Sequence, residues 1–312
     1  MRAVNIKYPE FSWSLSRHKT LSECARRYYF SYYASPIGRR RNASNLQKHA
    51  WRLKNLQSLA MVFGSSVHEQ IHRIVNSLDE LKELPLQLEI MANIRSDLNK
   101  SYCDSKYRQN LWLEMPSDYS ILSEIYFDGE FSLEAISDYQ QRLPDTVHNL
   151  ISCNTVNDLF QRRKDTELIA SERFRFIEVR GVKVWIVIDL LYRDLGNGKY
   201  VITDFKTGKR SENDRTQLAL YAKFVKESFQ IGTEDQIELR NEYLNDGSFV
   251  SFAPTRYDFE NIDYLIHTSI DWMQSYLQDI QNNVPLEMEA FEQTKYEPTC
   301  RSCQFRELCG KA

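Results

Sequence analysis

The spacing of apolar positions divides the chain into a helical front and a strand-rich second half. Residues 16–33, SRHKTLSECARRYYFSYY, carry Leu21, Cys24, Tyr28 and Tyr32 three to four apart, a helical period. A second helical stretch covers about 44–78 and ends before Leu84-Pro85-Leu86. Residues 86–165 again read mostly as helix, with a loop near Met115-Pro116-Ser117. The texture changes at Glu167. ELIASERFRFIEV, VKVWIVIDLLYRD and KYVITDF read as strands, joined by Arg180-Gly181 and by Gly196-Asn197-Gly198, both hairpin-type turns. Ser211-Glu212-Asn213-Asp214 offers a capping box for a helix through about 229. QIELRNEYLN and SFVSFAP read as two further strands, followed by a helix at about 260–282 and a cysteine-bearing tail. The expected fold class is mixed α/β (α+β): one mixed sheet flanked by helices, with a large helical block ahead of it.

Composition narrows this little: 42% hydrophobic and 27% charged residues are those of a folded globular chain. No apolar run reaches the length of a membrane span, and MRAVNIKYPEFSW lacks the apolar core of a secretory signal. A cytoplasmic location with reduced cysteines is the expectation. Charge is more telling. The net charge of -3 conceals about +10 over residues 1–60, from Arg2 and Lys7 through Arg39-Arg40-Arg41 to Lys54, and about -13 over the remainder. Such asymmetry points to a polyanionic partner, bound through its phosphates without sequence readout.

Candidate chemistry gathers on two strands. Asp189 lies within the apolar IVIDLLY, where a carboxylate is costly unless paired. In ITDFKTG, alternation puts Asp204 and Lys206 on one face and Phe205 on the other. Adjacent strands would bring Asp189 beside Asp204. Two such carboxylates repel unless a cation lies between them, and oxygen donors favour Mg²⁺ or Mn²⁺. An ion of this kind activates water and neutralises charge on a phosphate, with Lys206 in position to assist. Gln217 and Tyr221, four apart, share a helix face towards that site.

Two other patterns compete for attention. HEQIH (68–72) fits the H-E-x-x-H pattern of zinc peptidases, yet no downstream Gly and third His accompany it. In the tail, PTCRSCQFRELCGKA sets Cys300, Cys303 and Cys309 in a C-x₂-C-x₅-C array. A four-ligand centre needs one more thiolate, from Cys24, Cys103 or Cys153, and spacing alone does not separate Zn²⁺ from an iron–sulphur cluster.

The order GSSVHE, SERFRF, IDLLYRD, ITDFKTG and QLALYA resembles the PD-(D/E)XK nucleases of the RecB-like group, with Cas4 and AddB as the similar branches. The resemblance implies a restriction-endonuclease-like sheet and a metal held by His68, Asp189, Asp204 and the main-chain carbonyl of Phe205, beside Lys206. It also matches Gln217 and Tyr221 to a Q-x-x-x-Y element. Glu172 falls where the group carries a glutamate, reaching the metal through water or balancing an arginine such as Arg173. The opening Cys24-Ala-Arg-Arg-Tyr-Tyr and the three late cysteines resemble the branch in which Cys24, Cys300, Cys303 and Cys309 would hold a [4Fe–4S] cluster, stapling the two ends. Structural Zn²⁺ is the alternative there.

The implied function is a Mg²⁺- or Mn²⁺-dependent deoxyribonuclease, an exonuclease on single-stranded DNA ends in repair, CRISPR adaptation or phage defence. The rival readings are a weakly catalytic DNA-binding or helicase-partner module of the same fold and, remotely, the peptidase. The implied organisation is a basic part (1–60), a helical block with His68 (61–165), a core sheet (166–258) and a C-terminal helix with the cysteine tail (259–312), all within one nuclease domain.

Overall fold

In the computed structural model, residues 8–311 are described, apart from the side chains of Arg173 and Phe174. Arg2 and Lys7, and Arg173 as a partner for Glu172, therefore lie outside the described residues. The sheet has six strands: β1 (Ser12–Trp13), β2 (Thr166–Val179), β3 (Val182–Asp194), β4 (Tyr200–Lys206), β5 (Ile237–Tyr243) and β6 (Ser248–Phe252). Pairing of β1–β3 and β4–β5 is parallel, and the rest is antiparallel. The expected mixed sheet flanked by helices is what forms.

The β2–β3 hairpin turns on Arg180 (φ 53°) and Gly181 (φ 74°), two left-handed residues whose twist matches the strands they join. Strand β3 then carries β2 along one whole edge, leaving the other edge to β1 and β4. β1 pairs with Lys183 and Val184, whereas β4 pairs with Leu190 through Arg193. Among the described residues, 185–189 have no strand partner on that side. The sheet is split there, and Asp189 stands at the lip of the split.

Helices cover both faces. Five matter here: α1 (Leu15–Glu23), α2 (Leu59–Ser77), α3 (Leu133–Ser152), α4 (Asn213–Ser228) and α5 (Arg256–Gln274). Ile186, Ile188, Ile202 and Leu239 pack with Leu218 and Ala222 of α4 and Ile262 and Ile266 of α5. On the opposite face Leu190, Val201 and Phe205 pack with Val67 and Ile71 of α2 and Val147 of α3. Ile202 is fully buried between strands and helices. Its truncation, Ile202→Ala, is expected to cost about 2–5 kcal/mol, read as a lower urea midpoint at unchanged slope.

Four expectations need correction. The helix expected over 16–33 breaks at Cys24, which is extended (φ −166°, ψ 115°), and resumes at Ala25–Tyr29. The break turns Cys24 Sγ towards the tail, where it accepts from Thr294 N–H at 3.4 Å. The stretch 44–78 is two helices, Asn45–Lys54 and α2, parted by Leu56–Gln57, which pairs with Ile121–Leu122. The last long helix, α5, ends at Gln274; Leu277–Asp279 then pairs with Val284–Pro285. At α4 only half a capping box forms: Asp214 Oδ2 accepts from Ser211 N–H, while Ser211 Oγ takes Asn213 N–H instead of that of Asp214.

Candidate active site

The registers of β3 and β4 place the two aspartates. Leu190 pairs with Thr203, so one step further along the antiparallel ladder Asp189 faces Asp204. The ladder stops there, and the Phe205 N–H donates to Asp189 Oδ2 at 2.9 Å. Opposite Asp189 on β2, Glu172 has φ 48°, left-handed and strained for a glutamate. From the helical side, His68 on α2 inserts between these strands. Its Nδ1 lies 3.2 Å from Glu172 Oε1 and 3.6 Å from Asp189 Oδ2, and its Nε2 lies 3.0 Å from the Phe205 carbonyl. The helix comes this close because residue 64 is glycine: a Cβ there would stand 3.2 Å from Thr207 Oγ1. Gly64 does not mark the helix start, as α2 begins at Leu59 behind the Ser58 cap.

Asp204 and Lys206 share a face as expected, and Phe205 turns into the opposite core. Asp204 is only 1% exposed. Gln217 Nε2 donates to Asp204 Oδ1 at 2.9 Å and to Tyr221 Oη at 2.6 Å. Lys206 Nζ donates to Gln217 Oε1 at 2.9 Å. The same ammonium stands 2.8 Å from Asp204 Oδ2 and pairs with that buried oxygen.

Electrostatics show a surplus of negative charge. Burial, then the Asp189 carboxylate, pushes Asp204 up to about 7 against the pull of Lys206. Burial raises Asp189 too, opposed by His68. For His68, burial favours the neutral ring, but Asp189 and Glu172 override it and hold the imidazolium up to about 9. Both ring nitrogens accordingly face acceptors. Two buried carboxylates, an imidazole and a carbonyl form an N/O donor set suited to Mg²⁺ or Mn²⁺. Among the described residues, no three His, Cys, Asp or Glu side chains are drawn tightly enough to enclose an ion already. What converges is the elements and the donor types.

The sequence pattern overlooked several participants. Asp214 approaches Lys206 Nζ at 3.9 Å and accepts from Tyr243 Oη at 3.0 Å. It had been assigned to the helix cap, and nothing local distinguishes the two roles. Arg142 of α3 donates to the Thr207 carbonyl at 3.0 Å and fixes the loop after Lys206. No sequence signal marks it. In HEQIH the histidines diverge: His72 Nδ1 lies 2.9 Å from Ser171 Oγ, and Glu69 pairs with Arg73 on the surface.

At the chain ends Cys24, Cys300, Cys303 and Cys309 line one small cavity with Arg27, Phe30 and Phe305. Cys103 is exposed, and Cys153 is buried beneath α3 with Leu150 and Val156. The basic front is partly structural. Arg17, Arg26, Arg52 and Lys54 donate hydrogen bonds to the carbonyls of Ser12, Phe291, Leu113 and Ser31, which fix their positions. Among the described residues no helix is long and apolar enough to cross a membrane.

This geometry agrees with family membership. The model of the PD-(D/E)XK nuclease superfamily matches residues 12–310, and the chain belongs to that superfamily. No curated protein matches the chain. A solved structure described as "Crystal structure of SSO0001" is similar at 17% identity over 58% of this chain and 81% of that one, with a TM-score of 0.26.

Proposed function

We propose that the protein is a Mg²⁺- or Mn²⁺-dependent deoxyribonuclease of the RecB-like group that cleaves single-stranded DNA from its ends. The observation that carries this is the convergence of His68, Asp189, Asp204 and the Phe205 carbonyl at the split in the sheet, with Lys206 alongside. Those four groups would hold the cation, which supplies an activated water and charge neutralisation for phosphodiester hydrolysis. Holding it at His68 Nε2 requires the ring to shed the proton now shared with the Phe205 carbonyl.

The chain's own residues do the rest. Lys206, kept charged by Asp204, presents an ammonium to the phosphate oxygens as negative charge builds on them. Gln217, braced by Tyr221, fixes the orientation of both Asp204 and Lys206. Glu172 holds the His68 ring by its Nδ1–H. Cys24, Cys300, Cys303 and Cys309, which line one cavity, would be the ligands of a [4Fe–4S] cluster stapling the chain ends, with Zn²⁺ the alternative on the same donors. A helicase that delivers single strands is the fitting partner, and the cytoplasm the fitting place.

The test is direct. Purified protein should degrade end-labelled single-stranded DNA in Mn²⁺ and stop when excess chelator is added. Persistent cleavage in chelator, or none with any divalent ion, would overturn the proposal.

A further inference from the structure

Where β3 is left free between β1 and β4, a cleft of about 320 Å³ opens. Ser14, Ser16 and Lys19 of the α1 segment form one wall, Val187 lies along the strand edge, and Gln217 and Tyr221 of α4 form the other wall. Gln217 and Tyr221 also brace Asp204, so the cleft and the acidic site share a wall. Lys19 is the one cation among the described lining residues. Its ammonium has no ion-pair partner within 4 Å among the described residues; burial and Lys206 weigh against its charge, and Asp214, Asp204 and Glu23 favour it only from further away. A half-buried ammonium without a close counter-charge is an arrangement that an incoming anion relieves.

We propose that this cleft is the subsite for the nucleotide of a single-stranded DNA next to the scissile phosphate, with the flanking phosphate on Lys19. The proposal rests on the nuclease reading above. Continuity with Asp204 sets the place. Lys19 and the two serine hydroxyls match phosphate and sugar oxygens, while Val187 and the neighbouring Leu15 and Leu220 offer apolar surface to a base. The volume lies at the small end of ligand pockets and is of the order of one nucleotide.

The test compares two substrates in Mn²⁺: an oligo(dT) of about ten nucleotides, and bis(4-nitrophenyl) phosphate, a diester small enough to need only the acidic site. Lys19→Met is expected to raise KM for the oligonucleotide about tenfold more than for the small diester. In chelator it should flatten the dependence of log Kd on log salt by about 0.7, one single-strand phosphate contact. Lys19→Arg should restore both. Ser16→Trp, which narrows the cleft from an exposed position, should also weaken the oligonucleotide selectively.

Wild-type KM and salt slope in both Lys19→Met and Ser16→Trp, with DNA still cut, would overturn the subsite and leave the nuclease intact. Equal loss on both substrates would make Lys19 a structural residue and overturn the subsite as well. A wild-type protein inert towards both substrates would sink the nuclease reading and this inference with it.

Discussion

Asp204→Asn is expected to lower Mn²⁺-dependent DNA cleavage by about a thousandfold or more while leaving the protein folded. The carboxylate is buried and faces Asp189, whose charge repels it, an arrangement that a cation between the two relieves. Asparagine keeps the shape and the hydrogen bond from Gln217 through its amide oxygen. Two stability effects oppose each other: repulsion from Asp189 disappears, and Lys206 loses its nearest counter-charge. Lys206 keeps Gln217 and Asp214, so the melting midpoint in chelator should stay close to wild type. Lys206→Met should be equally inactive with metal still bound, because it removes the ammonium and not a donor. Manganese binding measured by electron paramagnetic resonance separates the two: weakened in Asp204→Asn, retained in Lys206→Met. Substantial cleavage by either variant would place the chemistry elsewhere.

The second large effect concerns the chain ends. With the proposed centre on the four cysteines, Cys303→Ser should remove it and release the tail. Cys303 is buried with Phe30 and Phe305, and the three other cysteines line the same cavity. Anaerobically purified wild type is expected to be brown, absorbing near about 400 nm for an iron–sulphur centre, and Cys303→Ser colourless. Because ligand binding and folding are coupled at such sites, stability should fall by several kcal/mol, and protease should cut the tail first. Cys103→Ser, at an exposed thiol outside the cavity, is the control and should change nothing. A colourless wild type with stoichiometric zinc would reassign the metal. A metal-free protein as stable as Cys303→Ser would remove the staple altogether.

What the sequence disclosed follows physical range. The strands of the central hairpins were legible because each side chain's face depends on its immediate neighbours, and Arg180-Gly181 announced its turn locally. The same short range put Asp204 and Lys206 together. Their approach to Asp189 could be read because one hairpin connects the two strands. Long-range partners were hidden. Nothing around Cys24 says that the helix breaks there, because the partner that rewards the break, Thr294, is about 270 residues away. Leu277–Asp279 was absorbed into a helix because its pairing with Val284–Pro285, and not its composition, decides its state. Arg142 and Lys19 look like ordinary surface cations until the fold carries them to the loop after Lys206 and to the cleft. Which cations of the basic front are pinned to carbonyls was likewise hidden from the sequence, although the charge itself remains.

The docking of the front helices on the tail governs when the molecule can mature. Phe30 and Phe305 rest 5.5 Å apart between ring centroids, and the Arg26 N–H is held by the Glu292 carbonyl. On a ribosome adding about 5–20 residues each second, the aromatic run Tyr28–Tyr33 waits roughly a quarter of a minute to a minute for those partners. During that interval the nascent chain exposes a sticky segment that a chaperone is suited to shield. Docking of the chain ends therefore follows synthesis of the sheet strands that carry Asp189 and Asp204.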